Sequence, residues 1–174
     1  MRFAFLISLL LGAVSRATVP QEPRANARSS IVGTWELLAF ESRDTAGAVT
    51  YPLGRRPKGL LIYDRERRVI AQLFDPDRPR FLSGDRANGT DAEMRAAFSG
   101  SFAYYGHYAV DTTSHTVTHH VDGASFPNWI GTNLVRVYRL DQDSTSRDRL
   151  TITTRPQLVA GHRIVTVLVW RRAP

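Results

Sequence analysis

A chain of 174 residues, 43% hydrophobic and 22% charged, has room for one domain with a sizeable core and is short for two. It contains no cysteine, which excludes a disulfide framework, a thiolate metal site and a Cys nucleophile. The formal net charge of +7 comes almost wholly from arginine, Lys58 being the single lysine. The arginines are spread rather than gathered into a basic stripe with aromatic platforms, so no nucleic-acid partner is expected.

The first residues address the compartment. Met1-Arg2 is a short basic start, and Phe3 to Val14 is an apolar run too short to span a bilayer. Ser15-Arg16-Ala17 places small residues where a signal peptidase reads them. The pattern predicts a secretory signal peptide over residues 1–17, a secreted or periplasmic protein, and no stable membrane insertion. Residues 18–30 are polar, with Pro20 and Pro23, and read as a flexible linker. The folded domain is expected over 31–172.

Ile31 to Ser42 alternates as a first strand, with Trp35, Leu37 and Ala39 on one face and Glu36, Leu38 and Phe40 on the other. Val49 to Leu53 is a possible short strand. Lys58–Tyr63 and Val69–Phe74 form a hairpin around the charged turn Asp64-Arg65-Glu66-Arg67. Residues 75–88 are a long, charged, Pro-containing loop. Thr90 followed by Glu93 is a capping box opening one short helix, with Met94, Ala97 and Phe98 on one face and an end at Gly100.

Five more strands follow: Phe102–Val110, Thr116–Val121, Asn133–Leu140, Arg149–Thr154 and Arg163–Arg171. Residues 125–131 and 155–162 read as loops. Alternating strands separated by turns predict antiparallel pairing. Eight or nine of them close into an all-β antiparallel barrel with one short helix, whose interior holds side chains or one small ligand.

Gly33-Thr34-Trp35 on the first strand, with Arg171 or Arg172 after the last, resembles the calycin pattern of lipocalins and fatty-acid-binding proteins. More specifically, the stretches GTWELLAFE (33–41), YPLGRRPKGLLIY (51–63), AQLFDPDRP (71–79), FAYYGHY (102–108), VTHHVDGASFPNWIGT (117–132) and VLVWRR (167–172) resemble the bacterial and fungal lipocalin-like domain family. The resemblance covers nearly all of residues 31–172. It implies a calycin-type barrel in which Trp35 plugs one end and an arginine packs across it, a structural role for Trp35, Arg171 and Arg172. It implies no particular reaction. The tip 64–67 departs from the family's usual Asp-Gly type of turn.

Candidate site residues are polar groups set within apolar strand faces. His119 and His120 are strand neighbours, point to opposite faces and cannot chelate one metal together. Val117, His119 and Val121 read as the core face, which favours His119 as the inward residue. His119 is a candidate base; the alternative is a histidine hydrogen-bonded inside the barrel to Tyr or Asp. Tyr104 and Tyr105 also face opposite ways, and either phenol can meet a ligand. Tyr63, Gln72 and Arg136 complete the polar set, and Arg136, if buried, needs a carboxylate from the protein or from a ligand. Asn128 and Trp129, in the SFPNWIG loop, are placed at the mouth. No metal site and no cofactor are expected, and no phosphate loop, nucleophile elbow or His-Glu-x-x-His appears.

The expected function is binding of one small apolar or amphipathic molecule in the barrel. The alternative is an isomerase or cyclase acting on a hydrophobic substrate, with His119, Tyr104 and Arg136 as acid–base and anion-holding groups. A third possibility is a barrel filled by its own side chains. The oligomeric state is not legible.

Overall fold

A computed structural model describes residues 30–174. The expected leader, and the linker up to residue 29, lie outside the described residues. Alternation decides which side of each strand turns inward. In chain order the elements are β1 (Gly33–Asp44), β2 (Val49–Thr50), β3 (Lys58–Tyr63), β4 (Arg68–Phe74), α1 (Asp91–Ser99), β5 (Ser101–Asp111) and β6 (Thr116–Ala124). A 3-10 turn at Pro127–Trp129 leads to β7 (Asn133–Gln142), β8 (Asp148–Thr154), β9 (Gln157–Val159) and β10 (His162–Arg172).

The strands pair antiparallel in the order β1-β3-β4-β5-β6-β7-β8-β10. β10 then returns to β1, from Trp35 opposite Arg172 to Asp44 opposite Ile164. The sheet is therefore a closed eight-stranded barrel, and closure removes both edges. Two short strands fill gaps at the open end. β2 pairs with β1 beyond the reach of β3, and β9 pairs with β10 beyond the reach of β8. The segment Val49–Leu53 contributes only its first two residues as strand, and β9 falls where the sequence reads as a loop.

Trp35, Leu37, Leu61, Val69, Ala71, Val117, Leu150, Ile152 and Trp170 form the buried interior. The alternation expected along β1 breaks. A register shift between Leu37 and Ala39 inserts an extra residue after Leu37; Leu38 stays outward, and from Ala39 on the phase reverses, so Ala39 no longer shares the face of Trp35. Beyond the bulge the inward residues are Phe40 and Ser42. That change of phase shapes the open half of the barrel.

The closed end is held by Arg172. Its guanidinium carbon lies 4.2 Å from the centre of the Trp35 ring. Its Nε donates to Asp148 Oδ2 at 2.8 Å, Nη1 to the Val32 carbonyl at 2.8 Å and Nη2 to the Ser30 carbonyl at 2.9 Å. Trp35 Nε1 donates to the Ile31 carbonyl at 2.8 Å. Gly33 is required beside this clamp: its φ is +140°, and a Cβ there would collide with Nη1 of Arg172. Arg171 faces the other way and pairs with the half-exposed Glu36 at 3.0 Å. Of the two arginines, Arg172 packs on the tryptophan.

The hairpin tip is built without glycine. Arg67 takes a left-handed φ of 64°, a conformation costing roughly 1–2 kcal/mol for an L residue. The Asp64 carboxylate offsets this by accepting from the Arg68 backbone N–H at 2.7 Å and from its side chain at 2.6 Å. The capping box forms as expected: Thr90 Oγ1 accepts from the Glu93 N–H, and Glu93 Oε2 accepts from the Thr90 N–H.

The clamp separates two neighbouring residues. Arg172→Ala is expected to lower unfolding free energy by about 2–4 kcal/mol, combining a cation–π contact with charged hydrogen bonds. Arg171→Ala, which removes a partly exposed ion pair, should cost under about 1 kcal/mol. Urea denaturation of both variants checks this, and equal losses would contradict the assignment.

Candidate functional site

The barrel encloses a cavity of about 490 Å³. Its inner wall is apolar, from Leu61 on β3, Ala71 on β4, Ile152 on β8, and Leu168 and Trp170 on β10. Aromatic rings ring the mouth. Phe102 stacks on Phe40 with centroids 5.8 Å apart and on Trp129 at 6.0 Å. Trp129 also meets Tyr104 and Phe126 edge to face, at 5.8 and 5.7 Å. Pro127 opens the 3-10 turn that swings the Trp129 indole inward while Asn128 stays in solvent. Phe98 from α1, with Leu158 and Val159 from β9, completes an apolar rim.

One wall carries a polar cluster. Tyr63 Oη lies 2.7 Å from His119 Nε2, and Tyr104 Oη lies 2.8 Å from His119 Nδ1. His119 is 1% exposed, and burial, helped by the charges of Arg136 and His120, pushes its pKa down to about 3. The imidazole is neutral across the physiological range. Burial raises the pKa of Tyr63 and of Tyr104, so both phenols stay protonated; at Tyr104 the charge of the neighbouring Arg136 pulls the other way.

Arg136 is the one charged residue on the cavity wall among the described residues, and none of their carboxylates forms an ion pair with it. Across the barrel, Ser42 and Thr166 share a hydrogen bond of 3.3 Å, and Thr154 Oγ1 accepts from the Thr166 N–H at 2.9 Å. Those hydroxyls largely satisfy one another.

Of the residues singled out from sequence, Tyr104, His119, Trp129 and Arg136 line the cavity. Tyr63 is fully buried behind His119 and does not reach the cavity surface. Gln72 is exposed on the outer face of β4, because Val69, Ala71 and Leu73 take the inner one. Tyr105 is 57% exposed and lies over Gly123 outside the barrel, as strand alternation with inward Tyr104 demands. Asn128 is exposed at the loop and does not line the cavity. His120 is outside, bonded to Asn133 at 2.7 Å.

Sequence reasoning passed over Phe40 and Ser42, whose inward turn depends on the bulge, and Leu158 and Val159, whose strand is three residues long. Trp170 was legible only as part of a terminal strand. Among the described residues no group of three His, Asp or Glu side chains could hold a metal ion.

The profile of the lipocalin-like domain matches residues 32–173. The chain belongs to the lipocalin-like domain family. This lipocalin-like protein is also similar to the 4'-hydroxy-3'-methoxypropiophenone carrier protein ppsC of Aspergillus oryzae, with 30% identity over 112 residues. That alignment covers 61% of this chain and 97% of the relative.

The buried histidine of the lipocalin-like barrel makes a prediction about acid. Between pH 6.5 and about 3 the unfolded chain binds a proton at this position and the folded chain does not. The contribution of neutral His119 is therefore complete above pH 6.5 and is lost progressively as pH falls. His119→Gln should flatten the dependence of unfolding free energy on pH between about 6.5 and 4, by up to about 1.4 kcal/mol per pH unit. Urea titrations at a series of pH values measure the slope, and an unchanged slope would show that His119 is not held neutral.

Proposed function

We propose that this protein binds and carries one small, flat, amphipathic molecule inside the barrel, with an aromatic or similarly planar body at the mouth. The observation that carries this reading is the cavity itself: about 490 Å³, apolar on its inner wall, aromatic at its entrance, with a single uncompensated cation. Pockets for small ligands have this size and this sparse polar complement. A barrel filled by its own side chains would not enclose such a space. The likeness to a carrier of 4'-hydroxy-3'-methoxypropiophenone supports an aromatic cargo.

The isomerase or cyclase alternative has less support. Both ring nitrogens of His119 are already engaged by Tyr63 and Tyr104, so no lone pair of the imidazole faces a substrate. We also infer export, on the strength of the N-terminal basic–apolar–small pattern alone.

Two of the three tryptophans, Trp129 and Trp170, line the cavity, so occupancy should quench intrinsic fluorescence. Titration with 4'-hydroxy-3'-methoxypropiophenone, followed by calorimetry, is expected to saturate at one molecule per chain. Trp129→Ala should weaken the binding by roughly tenfold, the scale of one aromatic contact. Absence of saturable quenching by this probe and by other alkyl phenyl ketones would remove the carrier reading.

A further inference from the structure

The polar wall of the cavity is a hydrogen-bond chain with a direction, and that direction limits what it can receive. Tyr63 is 1% exposed, and His119 Nε2 is the one hydrogen-bond partner its hydroxyl has among the described residues. A buried hydroxyl that keeps its proton unshared carries the full penalty of a lost hydrogen bond. Tyr63 Oη–H therefore donates, and Nε2 accepts. A neutral imidazole has a single N–H. It must then sit on Nδ1 and donate to Tyr104 Oη, 2.8 Å away.

The consequence falls on Tyr104. Its oxygen is occupied as an acceptor from His119, so its own proton is turned from the imidazole and left for another partner. Arg136 stands beside it, and a guanidinium has donors only. A further unpaired donor is buried in the same wall. Trp170 lines the wall, is 1% exposed, and its Nε1–H is buried with no hydrogen-bond partner among the described residues. Trp35 shows the contrast, since its indole N–H is satisfied by the Ile31 carbonyl.

We propose that the cavity selects its cargo by an acceptor oxygen, a ketone carbonyl or a carboxylate, received by Tyr104 Oη–H and the Arg136 guanidinium, with Tyr63 and His119 as positioning residues that set the direction of donation. The proposal rests on the carrier reading and narrows it to a ligand class. A ligand that brings only donors, such as an ammonium group, leaves Tyr104 and Arg136 unpaired and adds a second positive charge beside the first.

Four probes of similar outline test it: propiophenone, 3-phenylpropanoate, propylbenzene and 3-phenylpropylamine. The ketone and the carboxylate should bind about tenfold or more tighter than propylbenzene, and the amine weakest. Tyr104→Phe should abolish the ketone's advantage while leaving propylbenzene affinity within about twofold. Arg136→Met should do the same for the carboxylate. Tyr63→Phe, which touches no ligand, should also reduce the ketone's advantage, because Nε2 can then carry the proton and Tyr104 is free to donate to Nδ1. Imidazole nitrogen NMR of the unmodified protein reads the tautomer directly and does not depend on any variant folding; Nδ1–H is expected. An Nε2–H tautomer, or equal affinity for ketone and hydrocarbon, overturns the selection by acceptor and leaves the carrier reading standing. Binding of none of the four probes overturns both.

Discussion

Arg172 sits where three parts of the chain must meet. Its guanidinium covers the Trp35 ring, reaches Asp148 at the start of β8, and holds the carbonyls of Ser30 and Val32 ahead of β1. A point charge such as lysine could not serve these partners together, because they lie in different directions around a planar fork. The pairing of β1 with β10 brings the two ends of the sheet together, and this side chain seals the space beneath them. With that end closed, the cavity lies toward the other end, where the Phe40, Phe102 and Trp129 rings rim it.

The interior divides its work unevenly. The closed half is packed with Trp35, Leu61, Val69, Val117 and Leu150. The open half keeps its volume because Phe40, Phe102 and Trp129 stack against one another at the mouth instead of collapsing inward. Arg136 stands partly exposed on that wall with no carboxylate partner among the described residues, and it is the group to which our proposal assigns a ligand's acceptor oxygen. The two phenols and the imidazole extend the same logic: each is kept neutral by burial, and their order along the chain of hydrogen bonds decides which of them still has a proton to give.

Several of these features were legible before any coordinates. The Gly33-x-Trp35 start and the capping box at Thr90 follow from local pattern, and period-two alternation favoured His119 over His120 as the inward residue while leaving Tyr104 and Tyr105 open. Where alternation ran unbroken it worked. On β4 it put Val69, Ala71 and Leu73 inside and left Gln72 in solvent, so the candidacy of Gln72 contradicted the pattern that placed its neighbours. On β1 the alternation failed from Ala39 on, where Phe40 turned inward, because a bulge depends on the partner strand as much as on the residues that form it.

What the sequence by itself determined is local: strand phase, turn positions, helix capping, the lack of thiol chemistry, and the likeness to a family of barrels. Only the tertiary structure decided which arginine lies on Trp35, that Tyr63 and Tyr104 converge on opposite nitrogens of one histidine, and that Phe40 and Ser42 face the cavity. Those facts join residues as far apart as Tyr63 and His119, or Trp35 and Arg172, on different strands. Strand periodicity reports which face a side chain takes; the curvature and stagger of the closed sheet determine which side chains meet across it.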